Sequence, residues 1–130
     1  MNRTIKFRGK SVLNDEWIYG DLVHRINYPE TIAPGQINCI GIKEDTVCQF
    51  TGVKYNDREI YEHDLIECAG VLCEIVYNDK IGAFVLLAVL TQNLGSKPIG
   101  QMIDLFCIKY VGNIYDHPQI IKEESPCQDL

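Results

Sequence analysis

Residue types that could do chemistry gather first at Tyr61-Glu62-His63-Asp64. A histidine beside carboxylates can act as a general base with an orienting acid. Neighbours in a strand point to opposite faces, however, so His63 and Asp64 would not meet there. Asp64 is better suited to capping a turn by accepting from backbone N–H groups ahead of the strand that follows. Asp57, Glu59, Glu62, Asp64 and Glu67 supply enough carboxylates for a two-metal hydrolase, but their spacing does not make them converge. Residues 57 and 59 fall at an expected hairpin tip, where charge is ordinarily solvated.

Other site chemistries find less support. His24, His63 and His117 are far apart, and the nearest cysteine pair, Cys68 and Cys73, lacks the two-residue spacing of a zinc knuckle. Ser11, Ser96 and Ser125 lie in no nucleophile elbow, and the glycines form no phosphate-binding loop. No catalytic, cofactor-binding or metal-ligating residue is therefore assigned, and no cofactor is expected. Arg3, Lys6, Arg8 and Lys10, with Phe7 and Trp17, could line a single-stranded nucleic-acid surface. The alternative is a solvated strand face, which the acidic total favours. Trp17, Tyr19, Tyr61, Tyr77, Tyr110 and Tyr115 are expected mostly in the core, with some free to anchor a subunit interface.

The elements that would position these side chains are short and extended. Alternation over Thr4 to Arg8 predicts a strand, closed by a turn at Gly9-Lys10-Ser11. Glu16 to Val23 reads as a second strand, in which Gly20 marks a bulge or a close backbone approach. Arg25 to Gln36, with two prolines, reads as a long loop. Strands follow at Ile37 to Ile42 and at Val47 to Thr51. Val53 to Ile60 reads as a hairpin turning at Asn56-Asp57, two residue types that tolerate the left-handed conformation.

Asp64 to Cys68 and Val71 to Tyr77 read as strands paired across Ala69-Gly70. Gly82 to Leu90 is apolar on both faces and reads as a strand buried on both sides. Ile99, Met102, Ile103 and Phe106 have the spacing of one or two helical turns. Phe106 to Val111 returns to strand, and Pro118 can open a short helix through Ile121. The sum predicts an all-β, mainly antiparallel fold: a small barrel, or two barrels or a sandwich, with one or two short helical turns.

Length and composition bound the whole. A chain of 130 residues with 46% apolar and 23% charged residues fits one domain, here residues 1–121, with a polar tail at 122–130. No apolar run reaches the length of a membrane helix, and the start of the chain lacks the pattern of an export signal, so a soluble cytoplasmic protein with no membrane partner is expected. In that compartment six cysteines point to reduced thiols rather than three disulfides. Cys48, Cys68, Cys73 and Cys107 lie in apolar, strand-like stretches, and Cys127 in the exposed tail. The net charge of −6 disfavours non-specific binding to nucleic acid.

The segment QFTGVKYNDREIYEHDLIE, Gln49 to Glu67, resembles the signature of the YopX family, small proteins of prophages and related mobile elements. Ile5 to Arg8, Tyr19 to Leu22 and Val111 to Pro118 resemble the family's opening, second and closing stretches, in that order. The motif positions are Gln49, Thr51, Gly52, Tyr61, Asp64, Gly112, Asn113 and Tyr115, read as architectural. Asp57 and His63 stand where the family pattern has glycine. At 63 this means either that no positive φ is required or that His63 is mildly strained. The resemblance implies a mainly β fold, a mobile-element origin in a bacterial host and an accessory role; it implies no activity. The expected function is non-enzymatic, through a protein partner and self-association as a homo-oligomer. The alternatives are a nucleic-acid-binding regulator and a metal-dependent hydrolase of nucleotides or nucleic acid.

Overall fold

A computed structural model describes residues 3–24 and 35–124. The chain divides into two compact units, Met1–Gly52 and Val53–Leu130. The strand pairings among the described residues are antiparallel, as alternation and tight turns led one to expect.

In the first unit, β1 (Phe7–Lys10) pairs with β2 (Trp17–Gly20), Lys10 lying opposite Trp17 and Phe7 opposite Gly20. Strands β3 (Leu22–His24), β4 (Gly35–Ile37) and β5 (Ile40–Gly41) form a separate three-stranded sheet. A 3₁₀ turn at Glu44–Thr46 precedes β6 (Cys48–Tyr55), whose first residues pair with β1 through Phe7–Gln49 and Arg8–Cys48. Buried Thr46 anchors that turn: its hydroxyl donates to the Lys43 carbonyl at 2.6 Å and accepts from the Lys10 N–H at 2.9 Å. Among the described residues of this unit, Ile37, Ile42, Cys48 and Phe50 are the buried apolar side chains.

Several sequence expectations shift here. Gly9-Lys10 continues β1, and the turn falls later, at Val12 to Asn14. The expected strand 16–23 is two strands, broken where Gly20 takes φ 150°. A Cβ at Gly20 would lie 3.1 Å from Asn38 Oδ1, so the backbone approaches closely there. Residues 37–42 are likewise a hairpin, turning at Asn38-Cys39 with both residues at positive φ. Most of the expected loop 25–36 lies outside the described residues, but Gly35 and Gln36 belong to β4.

The second unit contains the end of β6 and β7 (Arg58–Tyr61), a hairpin turning at Asn56-Asp57, with φ 49° and 64°. The remaining strands are β8 (Asp64–Cys68), β9 (Val71–Asn78), β10 (Ala83–Ala88) and β11 (Ile108–Asn113), in the sheet order β10-β9-β8-β11. Helices α1 (Ile99–Leu105) and α2 (Pro118–Glu124) flank β11 in sequence. Ile60, Ile66, Cys68, Cys73, Ile75, Leu86, Ile99 and Ile108 form the core, with Met102 and Ile103 packed on it. The helical spacing is therefore real for 99, 102 and 103. Phe106 is not part of it: the helix ends at Leu105, and Phe106 turns extended and solvent-exposed.

Strand β10 buries both faces only at its centre, Val85 and Leu86; its ends are half-exposed. Helix α2 runs three residues past Ile121, to Glu124, and residues 125–130 lie outside the described residues. No helix among the described residues is long and apolar enough to cross a membrane.

Candidate functional site

The turn between β7 and β8 is two residues long, Glu62 and His63, and His63 sits at φ 69°. Of the two sequence alternatives for this position, the strained one holds. The left-handed conformation costs a side-chain-bearing residue roughly 1–2 kcal/mol. Bonds on both sides of His63 offset that cost. Its N–H donates to the Ile75 carbonyl at 2.7 Å, and its carbonyl accepts from the Ile114 N–H at 3.2 Å. Its ring nitrogen Nδ1 lies 2.7 Å from Glu74 Oε2, and Nε2 lies 3.8 Å from Glu62 Oε2. The ring of Tyr115 meets it edge-on at 5.9 Å between centroids.

Asp64 is fully buried. Its Oδ2 accepts from the Tyr61 N–H at 2.8 Å, and its Oδ1 accepts from the Tyr110 hydroxyl at 3.4 Å. The Tyr110 ring carries the Arg58 guanidinium 4.0 Å from its centroid. Asn113 lies opposite Asp64 in the β8–β11 register, next to a bulge between Tyr110 and Gly112. Its side-chain oxygen accepts from the N–H groups of Tyr115 and Asp116, closing the turn after β11. Its own N–H donates to His117 Nδ1 at 3.3 Å, which lays the imidazole over Gly112.

Five of the motif positions, Tyr61, Asp64, Gly112, Asn113 and Tyr115, thus meet around the β7–β8 turn and the end of β11. Gln49, Thr51 and Gly52 belong to the first unit, on β6. Glu74 is the partner that sequence reasoning missed, because it lies eleven residues downstream on another strand. Alternation gave no signal for it, since it puts Glu74 on the face opposite Cys73 and Ile75, where a charge is ordinarily solvated.

A histidine–carboxylate pair of this kind can fix a tautomer or hold an imidazolium. Among the described residues no three His, Cys, Asp or Glu side chains are arranged to hold a metal ion. Glu59 bonds the Tyr61 hydroxyl at 3.0 Å, and His24 pairs with Glu44 in the first unit. Of the five carboxylates singled out in the sequence, Glu59, Glu62 and Asp64 thus serve three different partners rather than one site.

The basic opening stretch is solvated only in part: Arg3 is exposed, and Lys6 and Lys10 are half-buried. Arg8 is 4% exposed, with its guanidinium 4.5 Å from the Trp17 ring centroid. Lys10 lies over the same ring at 5.2 Å and Lys6 over Phe50 at 5.7 Å. Tyr19 and Tyr77, expected mostly inside, are about half exposed.

Cys39, Cys48, Cys68, Cys73 and Cys107 are free thiols. Cys48, Cys68 and Cys73 are buried; Cys107, expected in a strand, is exposed just before β11, and Cys127 lies outside the described residues. Burial raises Cys68, and burial followed by the adjacent Cys68 charge pushes the Cys73 thiol up to about 11. The folded state therefore resists thiolate formation while the unfolded chain does not. Stability is expected to be intact below about pH 9 and to fall as pH rises from there toward 11. At pH 8, native Cys73 should hold about a hundredfold less thiolate than an ordinary cysteine. Thiol labelling read by peptide mass should accordingly modify Cys39 and Cys107 first. Fast native modification of Cys73 would contradict this.

Comparison with curated proteins and with solved structures finds no significant match. A family model described as YopX protein matches residues 6–122, so nearly the whole chain, with both of its units, belongs to the YopX family.

Proposed function

We propose that the chain is a non-enzymatic accessory protein of a phage or mobile element, acting in the host cytoplasm by binding another protein, with self-association as one component. The observation that carries this reading lies at the Ala69-Gly70 end of the second unit's sheet. There Val71 opens β9, Leu90 follows β10, and Leu105 and Phe106 precede β11, all 44–55% exposed. Exposed apolar side chains grouped at one end of a sheet mark an interaction surface. The outer edge of β10 is a weaker candidate, because the segment 93–95 covers part of it. Gly95 donates to the Leu86 carbonyl at 2.8 Å, and Leu94 bridges Leu87.

Charge constrains the partner. Residues 1–52 hold six acidic and six basic residues, whereas residues 53–130 hold twelve acidic and six basic. A protein surface with an apolar centre and a basic rim suits the second unit best. Self-association through the same end should strengthen as salt screens the like charges.

Size-exclusion chromatography with light scattering tests the self-association component. A dimer is expected at high micromolar concentration, and Val71→Ser with Phe106→Ser should shift it to monomer. A strict monomer at all salt concentrations removes self-association from the reading. The nucleic-acid alternative loses its central cation to burial at Arg8, which is why protein binding is preferred. Salt-dependent binding to oligonucleotides would reverse that preference.

A further inference from the structure

The His63 turn joins three pieces of the second unit that are far apart in sequence. Main-chain bonds tie it to β9 at Ile75 and to the turn after β11 at Ile114. Its imidazole reaches the same two places, Glu74 on β9 and the Tyr115 ring beyond β11. Titratable groups facing it include Glu62 from its own turn, Glu74 from β9 and Tyr115 from the turn after β11. The neighbouring Asp64 carboxylate accepts from the Tyr61 N–H and the Tyr110 hydroxyl, and Asp116 accepts from Asn113 Nδ2.

We infer that His63, held between Glu74 and Glu62, is a protonation-dependent clasp fastening the turn after β11 to the β7–β8 turn. With both ring nitrogens protonated, Nδ1 donates to Glu74 and Nε2 faces the Glu62 carboxylate with a positive charge. Two carboxylates at 2.7 and 3.8 Å favour that imidazolium. When the proton leaves Nε2 for solvent, the Nδ1–H tautomer keeps the Glu74 bond. The Nε2 lone pair then confronts the Glu62 carboxylate, and attraction becomes repulsion. The ring is partly open to water, with 27% of its side chain exposed, so the proton can exchange with solvent without unfolding. A left-handed residue whose side-chain support has weakened is the natural place for local opening.

The linkage has one sign. Protonation is favoured in the closed state, so the clasp is tight below the His63 midpoint and loosens as pH rises through it. The element released is the turn around Ile114 and Tyr115, while the β8–β9 and β9–β10 ladders stay closed.

NMR titration of the imidazole protons, with amide exchange measured across the same pH range, tests this. The His63 midpoint is expected above the ordinary value of about 6.5 and should fall by about one unit in Glu74→Gln. Protection of the Ile114 amide, corrected for intrinsic exchange, should drop about tenfold as pH passes the midpoint, the equilibrium equivalent of one unit. In His63→Asn, whose new residue tolerates the left-handed conformation, that step should vanish. Should His63→Asn fail to fold, Glu62→Gln serves the same purpose, with a smaller step expected. A His63 midpoint unmoved by Glu74→Gln, or Ile114 protection flat across the titration, overturns the inference.

Discussion

Asp64→Ala is expected to lower the free energy of unfolding by about 3–4 kcal/mol, a large part of what a small domain has. The carboxylate is fully buried and accepts from the Tyr61 N–H and the Tyr110 hydroxyl. Alanine leaves a buried N–H without that acceptor, at a cost of about 1–3 kcal/mol, and removes the charge-assisted part of the bond. It also unties Tyr110 on β11 from β8, and so weakens the packing of Arg58 on the Tyr110 ring. Asp64→Asn preserves the shape and one accepting oxygen, so about half the loss is expected there. Urea unfolding of the two variants separates these contributions. A loss under 1 kcal/mol in Asp64→Ala would remove the residue from the structural role assigned to it.

Gly112→Ala should cost about 2–3 kcal/mol for a different reason, overlap rather than a missing partner. A Cβ at position 112 would run into the His117 ring, reaching Cε1 and Cγ at 2.8 Å. The ring cannot easily retreat. Its Nδ1 accepts from the buried Asn113 N–H, and the His117 N–H donates to the Asn113 carbonyl at 2.9 Å. The following Pro118 restricts the backbone of His117 as well. Moving the ring therefore strands the Asn113 N–H, and keeping it distorts the bulge in β11. The double variant with His117→Ala should recover about 1 kcal/mol of the penalty, as expected for residues in contact. Additive losses would show that the overlap is not the cause.

Both variants concern motif residues, and they show how far local pattern reaches. The Asn56-Asp57 turn and the Ala69-Gly70 turn could be read directly, because a two-residue connection between alternating strands depends on the turn residues themselves. The break at Gly20 was visible only as a question. Its answer lies in Asn38, whose Nδ2 donates to the Tyr19 carbonyl from another hairpin. The Asn38-Cys39 turn went unseen because cysteine is not a turn-forming residue, and residues 37–42 look continuous by composition. Phe106 followed the helical spacing and still fell outside the helix, since spacing does not say where a helix stops.

The antiparallel β class, the turns at Asn56-Asp57 and Ala69-Gly70, the short helices and a backbone-binding task for Asp64 could all be read from the sequence. Those properties follow from alternation, turn chemistry and residues close along the chain. The tertiary structure alone decided that His63 answers to Glu74 and that Arg8 is buried over Trp17. It likewise decided that His117 lies on Gly112 and that Val71, Leu90 and Phe106 share one end of a sheet. Strand order, register and bulges create each of these neighbours. A side chain's charge or polarity states that it needs a partner or solvent, and only the assembled sheet determines which one it meets.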